Sequence, residues 1–251
     1  MNFVQSTIQF RCVVYDTFSA LPGAAIDRAR LFAGDGPESD EMVTAQGEAD
    51  IVEWLLRTRQ ARELLLAELG LPMATYAQAG IIEPLLEKNR TKPPGDIDLL
   101  LVPDMAHPIS IQVKRIPIIA ESTEKDRTVG KGRLGNITHL VKQANGSRDI
   151  GFHLNYGMIV TEVYGVERSD YNFAFRGSSP GMFRRVYHMT WDQPVHDEVG
   201  IIFMEIAQPT KTSVDDAGVV GVCVNKRAKP VEQPAGLTTR VRQLKAHMPS
   251  L

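Results

Sequence analysis

Two short apolar runs carry residue types that buried strands normally exclude. The first, residues 97–102 (IDLLLV), follows Asp96 and contains Asp98. The second, residues 109–113 (ISIQV), contains Gln112 and leads into Lys114 and Arg115. Between them lies PDMAHP, a connector bounded by Pro103 and Pro108. Leu/Ile/Val runs of this length between turn residues predict strands buried on both faces. An unpaired carboxylate or ammonium in such a place costs several kcal/mol. The inert explanation is a structural ion pair of Asp98 with Lys114. The reactive one is a site for phosphodiester hydrolysis.

Spacing gives the second explanation a geometry. Residues two apart on a strand share a face, so Asp96 pairs in direction with Asp98, and Gln112 with Lys114. A turn centred on Met105 sets Asp98 opposite Gln112 and Asp96 opposite Lys114. All four then share one face, with Ile97, Leu99, Ile111 and Val113 on the other. A one-residue slip would scatter them. Hydrolysis of a phosphodiester needs charge stabilisation on phosphate and an activated water, and a divalent metal supplies both. Mg²⁺ (or Mn²⁺) takes one or two carboxylates with neutral oxygens and water. The expected metal ligands are the Asp98 carboxylate and the carbonyl oxygens of Gln112 and Val113. Lys114 is expected to orient or deprotonate the water, or to oppose charge in the transition state.

The pattern PPGDIDLLLV…ISIQVKR over residues 93–115 resembles the core motif of the PD-(D/E)xK, or restriction-endonuclease-like, nucleases. In that resemblance Asp98 matches the metal-binding Asp, Gln112 the acidic position and Lys114 the lysine. Gln112 is a departure, since Glu or Asp is usual there; Mrr-like members carry Gln-x-Lys. One negative charge is lost, so weaker metal binding or a further carboxylate is implied. The family draws that carboxylate from its first core helix, which points to Glu48 in QGEADIVEW, with Glu53 possible. Glu83 is the second choice, and Glu87 lies near it. The family's next helix adds a polar residue, and Gln143 occupies that helix with His139 and Lys142; a solvent face is their plainer reading. The resemblance implies a Mg²⁺- or Mn²⁺-dependent nuclease acting on DNA. Its alternative is a catalytically inactive nuclease-fold binding module of a DNA-processing or defence system.

These residues need elements to hold them. Ile51, Leu55, Leu56, Leu65, Leu66 and Leu69 recur near a 3.6-residue period, predicting helix over 40–70 with a break at 58–61. Asp40 is a candidate start cap, and Gly70 with Pro72 fits the end. Residues 73–92 are ambiguous around Pro84. NITHLVKQAN predicts a short helix over 136–145, capped by Asn136, with Ile137, Leu140, Val141 and Ala144 inward. Strands are expected within 2–15 and over 154–163, 199–207 and 218–225, with a short terminal helix in LTTRVRQLKAH. The resulting order is an α/β fold: a restriction-endonuclease-like core with a mixed sheet flanked by helices, and further C-terminal strands. One nuclease-like domain is expected, its core over 40–163 and its extension over 164–251.

Charge places bounds on partners. The net charge of −2 gives no global attraction to a polyanion, so DNA contact falls to local patches. The loop ESTEKDRTVGKGRLG offers Lys125, Arg127, Lys131 and Arg133 as phosphate contacts, or simply a solvated loop. Arg184, Arg185 and Tyr187 form a weaker second patch. His188 and His196, with Asp192 and Asp197, are better read as scattered polar residues than as a metal site. No P-loop, dinucleotide fingerprint or nucleophile elbow occurs. Cys12 and Cys223 allow no disulfide framework. With no signal peptide or apolar run of roughly 20 residues, a cytoplasmic protein without membrane contact is expected. A homodimer is possible, as for many nucleases of this fold.

Overall fold

A computed structural model describes residues 11–15, 48–81, 96–119, 131–164, 180–208 and 218–246. Helix α1 (Glu48–Arg57) and helix α2 (Arg59–Leu69) realise the long amphipathic segment, interrupted at Thr58, whose backbone is extended (φ −84°, ψ 101°). Gly70 ends α2 in the left-handed conformation, φ 73°. Its N–H donates to Ala67 O, and that of Leu71 to Leu66 O. This double closure needs a residue that tolerates positive φ, which Gly does without a Cβ penalty.

All described strands join one seven-stranded sheet: β1 (Arg11–Tyr15), β2 (Tyr76–Ile81), β3 (Ile97–Val102), β4 (Ile109–Ile119), β5 (Leu154–Tyr164), β6 (Val199–Gln208) and β7 (Gly218–Lys226). Their order is β1-β7-β6-β5-β4-β3-β2. Strands β2, β3 and β4 form an antiparallel meander, while β4, β5 and β6 run parallel. Parallel neighbours need crossovers, and these contain α3 (Lys131–Ile150) and α4 (Pro180–Trp191). The protein is therefore α/β, with a mixed sheet flanked by helices. Strands β6 and β7, from the expected C-terminal extension, belong to the same sheet as the expected core. Among the described residues no helix is long and apolar enough to cross a membrane.

The sheet is buried on both faces. Ile51, Trp54, Leu55, Leu65 and Leu66 of α1 and α2 pack on Leu99, Leu101, Ile111, Val113, Met158 and Val160. On the other face, Leu237 and Val241 of α5 (Ala235–Lys245) pack with Leu100, Val102 and Phe152. Helix α3 lies over β4 and β5, where Gly157 leaves room for Leu140: a Cβ there would come within 3.2 Å of Leu140 Cγ.

Three sequence expectations change. Helix α3 starts at Lys131 and ends at Ile150, well beyond 136–145, so Lys131 and Arg133 are helical and Asn136 is not its cap. Gly132 and Gly135 argue against helix by about 1 kcal/mol each, and burial of Ile137, Leu140, Val141 and Ala144 outweighs them. Asn145 does not stop the helix; its side chain holds Pro194 O and the His196 N–H. Helix α4 forms where no period is evident, with Pro180 at its first position, where a missing N–H costs nothing. Asp40, Pro84 and residues 2–10 lie outside the described residues.

Candidate active site

The site is built where β3 and β4 part. Their ladder pairs Leu99 with Ile111, Leu100 with Ser110 and Leu101 with Ile109, the register that a turn centred on Met105 requires. Beyond Leu99↔Ile111 side chains take over. The Val113 N–H donates to Asp98 Oδ2 at 2.7 Å, and Gln112 Nε2 donates to Asp96 O at 2.8 Å. The two strands are thus held together past their paired stretch by the residues singled out for chemistry.

Lys114 is 8% exposed, and its Nζ donates to Glu48 Oε2 at 2.7 Å. Glu48 lies on α1, so the first core helix delivers its carboxylate to the lysine next to the Asp98 strand. The inert alternative, an ion pair of Asp98 with Lys114, is not what forms: the partner of Lys114 is Glu48. Glu53, the other helix candidate, pairs with Arg57 one turn on. Glu83 and Glu87 lie outside the described residues.

Asp98 is mostly withdrawn from water. Burial pushes its carboxyl up to about 6, against the lowering influence of the Val113 N–H and the Lys114 ammonium. The carboxylates of Asp96 and Glu48 add to the rise. Among the described residues the ammonium that acts on this carboxyl is that of Lys114, which is shared with Glu48.

Gln112 is fully buried and looks towards α3: its Nε2 reaches Ser147 Oγ at 3.1 Å as well as Asp96 O. Its Oε1 is buried without a hydrogen-bond partner among the described residues. The expectation that Ile97 packs with Leu99, Ile111 and Val113 is corrected as well. Ile97 joins Leu100, Val102 and Phe152 on the opposite face, at the end of β3 that no longer pairs with β4.

A cleft of about 680 Å³ opens between α1 and β2–β3, lined by Glu48, Val52, Leu56, Ala77, Asp96 and Asp98 among others. Its acidic end, where Glu48, Asp96 and Asp98 converge, fits a hard divalent cation, and the buried, unpartnered Gln112 oxygen belongs to the residue next to Val113, whose N–H holds Asp98. Among the described residues no group of three or more His, Cys, Asp or Glu is arranged for a metal. An ion held by few carboxylates would draw on neutral oxygens and water, the mode Mg²⁺ tolerates.

The outlying candidates fare differently. Lys131 and Arg133 occupy the first turn of α3, and Lys125 and Arg127 lie outside the described residues. The Gln143 main-chain oxygen accepts from Ser147 Oγ, which places Gln143 one turn from the Gln112 contact. His139 and Lys142 face solvent. Tyr187 packs on Phe203, ring centroids 5.8 Å apart, and against Trp191, so its ring is not a free platform for a base. His196 and Glu198 are 3.0 Å apart, and Glu198 also binds Arg148. Ser147 is the residue that sequence reasoning missed. The inward stripe 137, 140, 144 continues to 147, and a polar residue on that stripe is the available signal. No family model matches the chain, and no curated protein matches it in sequence.

Proposed function

We propose that this chain is a metal-dependent nuclease that hydrolyses DNA phosphodiester bonds on a restriction-endonuclease-like core. The observation that carries the reading is the 2.7 Å contact of Lys114 with Glu48 beside Asp98. It joins the first helix to the lysine-strand, whose Val113 N–H in turn holds Asp98 of the neighbouring strand. The α-β-β-β-α-β order, with an antiparallel meander and a helical crossover to a parallel strand, accords with such a core.

Asp98, the Gln112 oxygen and the Val113 carbonyl would hold Mg²⁺ or Mn²⁺. Once bound, the ion would supply Lewis acidity to the phosphate and lower the pKa of a water. The chain's own residues do the rest. The Val113 N–H fixes one Asp98 oxygen and leaves the other for the site. Glu48 holds the Lys114 ammonium at the fork, where it can orient the attacking water and oppose negative charge gathering on the phosphate. The apolar wall of Val52, Leu56 and Ala77 keeps the dielectric low, which strengthens both effects.

The test is cleavage of linear, supercoiled and single-stranded DNA with Mg²⁺ or Mn²⁺. Asp98→Ala and Lys114→Ala are each expected to abolish cleavage while leaving a folded protein. Activity surviving either change overturns the assignment. The second reading, an inactive binding module on the same fold, draws on Gln112, whose amide nitrogen bridges β3 and α3 as a structural group would. Absence of metal binding together with intact DNA affinity would favour it.

A further inference from the structure

The amide of Gln112 has a fixed polarity. Asp96 O can only accept, so the atom 2.8 Å from it must be the nitrogen. Ser147 Oγ gives its one hydrogen to Gln143 O, 3.1 Å away in the preceding turn of α3. Towards Gln112 the hydroxyl can then only accept, and it does so from Nε2 at 3.1 Å. As the hydroxyl is oriented, both neighbours accept and both amide hydrogens are used; flipping the amide would set oxygen against oxygen at the Asp96 carbonyl. What remains is Oε1, buried and without a partner among the described residues. A buried oxygen left open is costly, and this one belongs to the residue between Ile111 and Val113, whose N–H holds Asp98 Oδ2 at 2.7 Å.

We infer that Ser147 is a positioning residue. With the Asp96 carbonyl, it locks the Gln112 amide so that Oε1 is presented as a neutral ligand for the same divalent cation as Asp98. The inference rests on the nuclease reading and deepens it: Gln112 is a ligand selected as an amide, and not the remnant of a lost carboxylate. A carboxylate at 112 would put an oxygen against Asp96 O with no hydrogen between them. Outer partners that orient a ligand typically change metal affinity by about 10–100-fold when removed.

The test uses the full chain and two readouts. The first, in metal-free protein, is exchange of the Gln112 side-chain NH₂ hydrogens by nitrogen-edited NMR. The lock predicts a slowly exchanging pair in the wild type and faster exchange in Ser147→Ala, which keeps the helix because Ala favours it. The second is Mn²⁺ affinity by calorimetry, with about tenfold weaker binding expected in Ser147→Ala and in Gln112→Leu. An unprotected side-chain amide in the wild type overturns the lock, whatever the protein's activity. A protected amide with no Mn²⁺ binding by the wild type overturns the ligand role together with the nuclease reading. A protected amide with unchanged Mn²⁺ affinity in both variants makes Gln112 purely structural, and overturns the inference while the nuclease reading stands.

Discussion

Lys114 and Glu48 are 66 residues apart in the chain, and their Nζ and Oε2 atoms are 2.7 Å apart in the fold. Their contact ties α1 to the far side of the β3–β4 fork. Lys114 is nearly buried, whereas the Glu48 side chain is 32% exposed, so the pair is screened on one side only. Removing one member of a buried pair strands the other's charge.

The first prediction concerns this pair. Glu48→Ala should lower unfolding stability by about 2 kcal/mol, below the full buried-pair cost because Glu48 is partly solvated. Glu48→Ala combined with Lys114→Met should recover part of the loss. Urea titrations of the four proteins give the coupling directly. A double variant as unstable as the sum of the singles would show that the pair does not stabilise the fork.

The second prediction is a pH dependence. Asp98 titrates near 3.8 when unfolded, and burial raises it to about 6 in the fold. Between these values the folded state holds a proton that the unfolded state has released, so stability falls as pH rises. The loss is about 3 kcal/mol, complete above pH 6. It should appear as the difference between the wild-type and Asp98→Asn stability curves, measured without divalent ions. Adding Mn²⁺ should restore the lost stability above pH 6 and do little near pH 4. A pH-independent difference would mean that Asp98 ionises in the fold as it does in water.

The third prediction tests the packing behind the site. Gly200 on β6 lies against the Tyr156 ring, and a Cβ there would meet that ring and stand 2.7 Å from the Ala228 backbone nitrogen. Tyr156 shares the core cluster of Ile111 and Val113. Gly200→Ala should cost about 1–3 kcal/mol by overpacking, and thermal unfolding reads it. An unchanged melting temperature would place Tyr156 elsewhere.

Much of this was legible in the sequence where one signal dominated. The 3.6 period of Ile51, Leu55, Leu65 and Leu69 predicted the paired helices, and Gly70 marked their end. The turn centre at Met105 predicted the β3–β4 register. Periodicity says nothing about how far a long side chain reaches, however. Lys114 finds a helix residue 66 positions upstream, and Gln112 is turned to α3 by Ser147. Those contacts depend on where α1 and α3 land on the sheet, which is a tertiary outcome. The full length of helix α3 is not legible locally, because Gly132, Gly135 and Asn145 oppose helix, while packing over Gly157 supports it from outside the segment. Helix α4 is amphipathic, with Val186 and Thr190 buried, but its aromatic and basic residues and its Pro180 and Gly181 obscure the stripe in the sequence.

Whether Asp98 ligates a metal is read directly by anomalous scattering from a crystal soaked in Mn²⁺. A manganese peak is expected within about 2.0–2.3 Å of an Asp98 carboxylate oxygen. Full occupancy of Mn²⁺ elsewhere, or a saturating soak that leaves the β3–β4 fork without a peak, would contradict it.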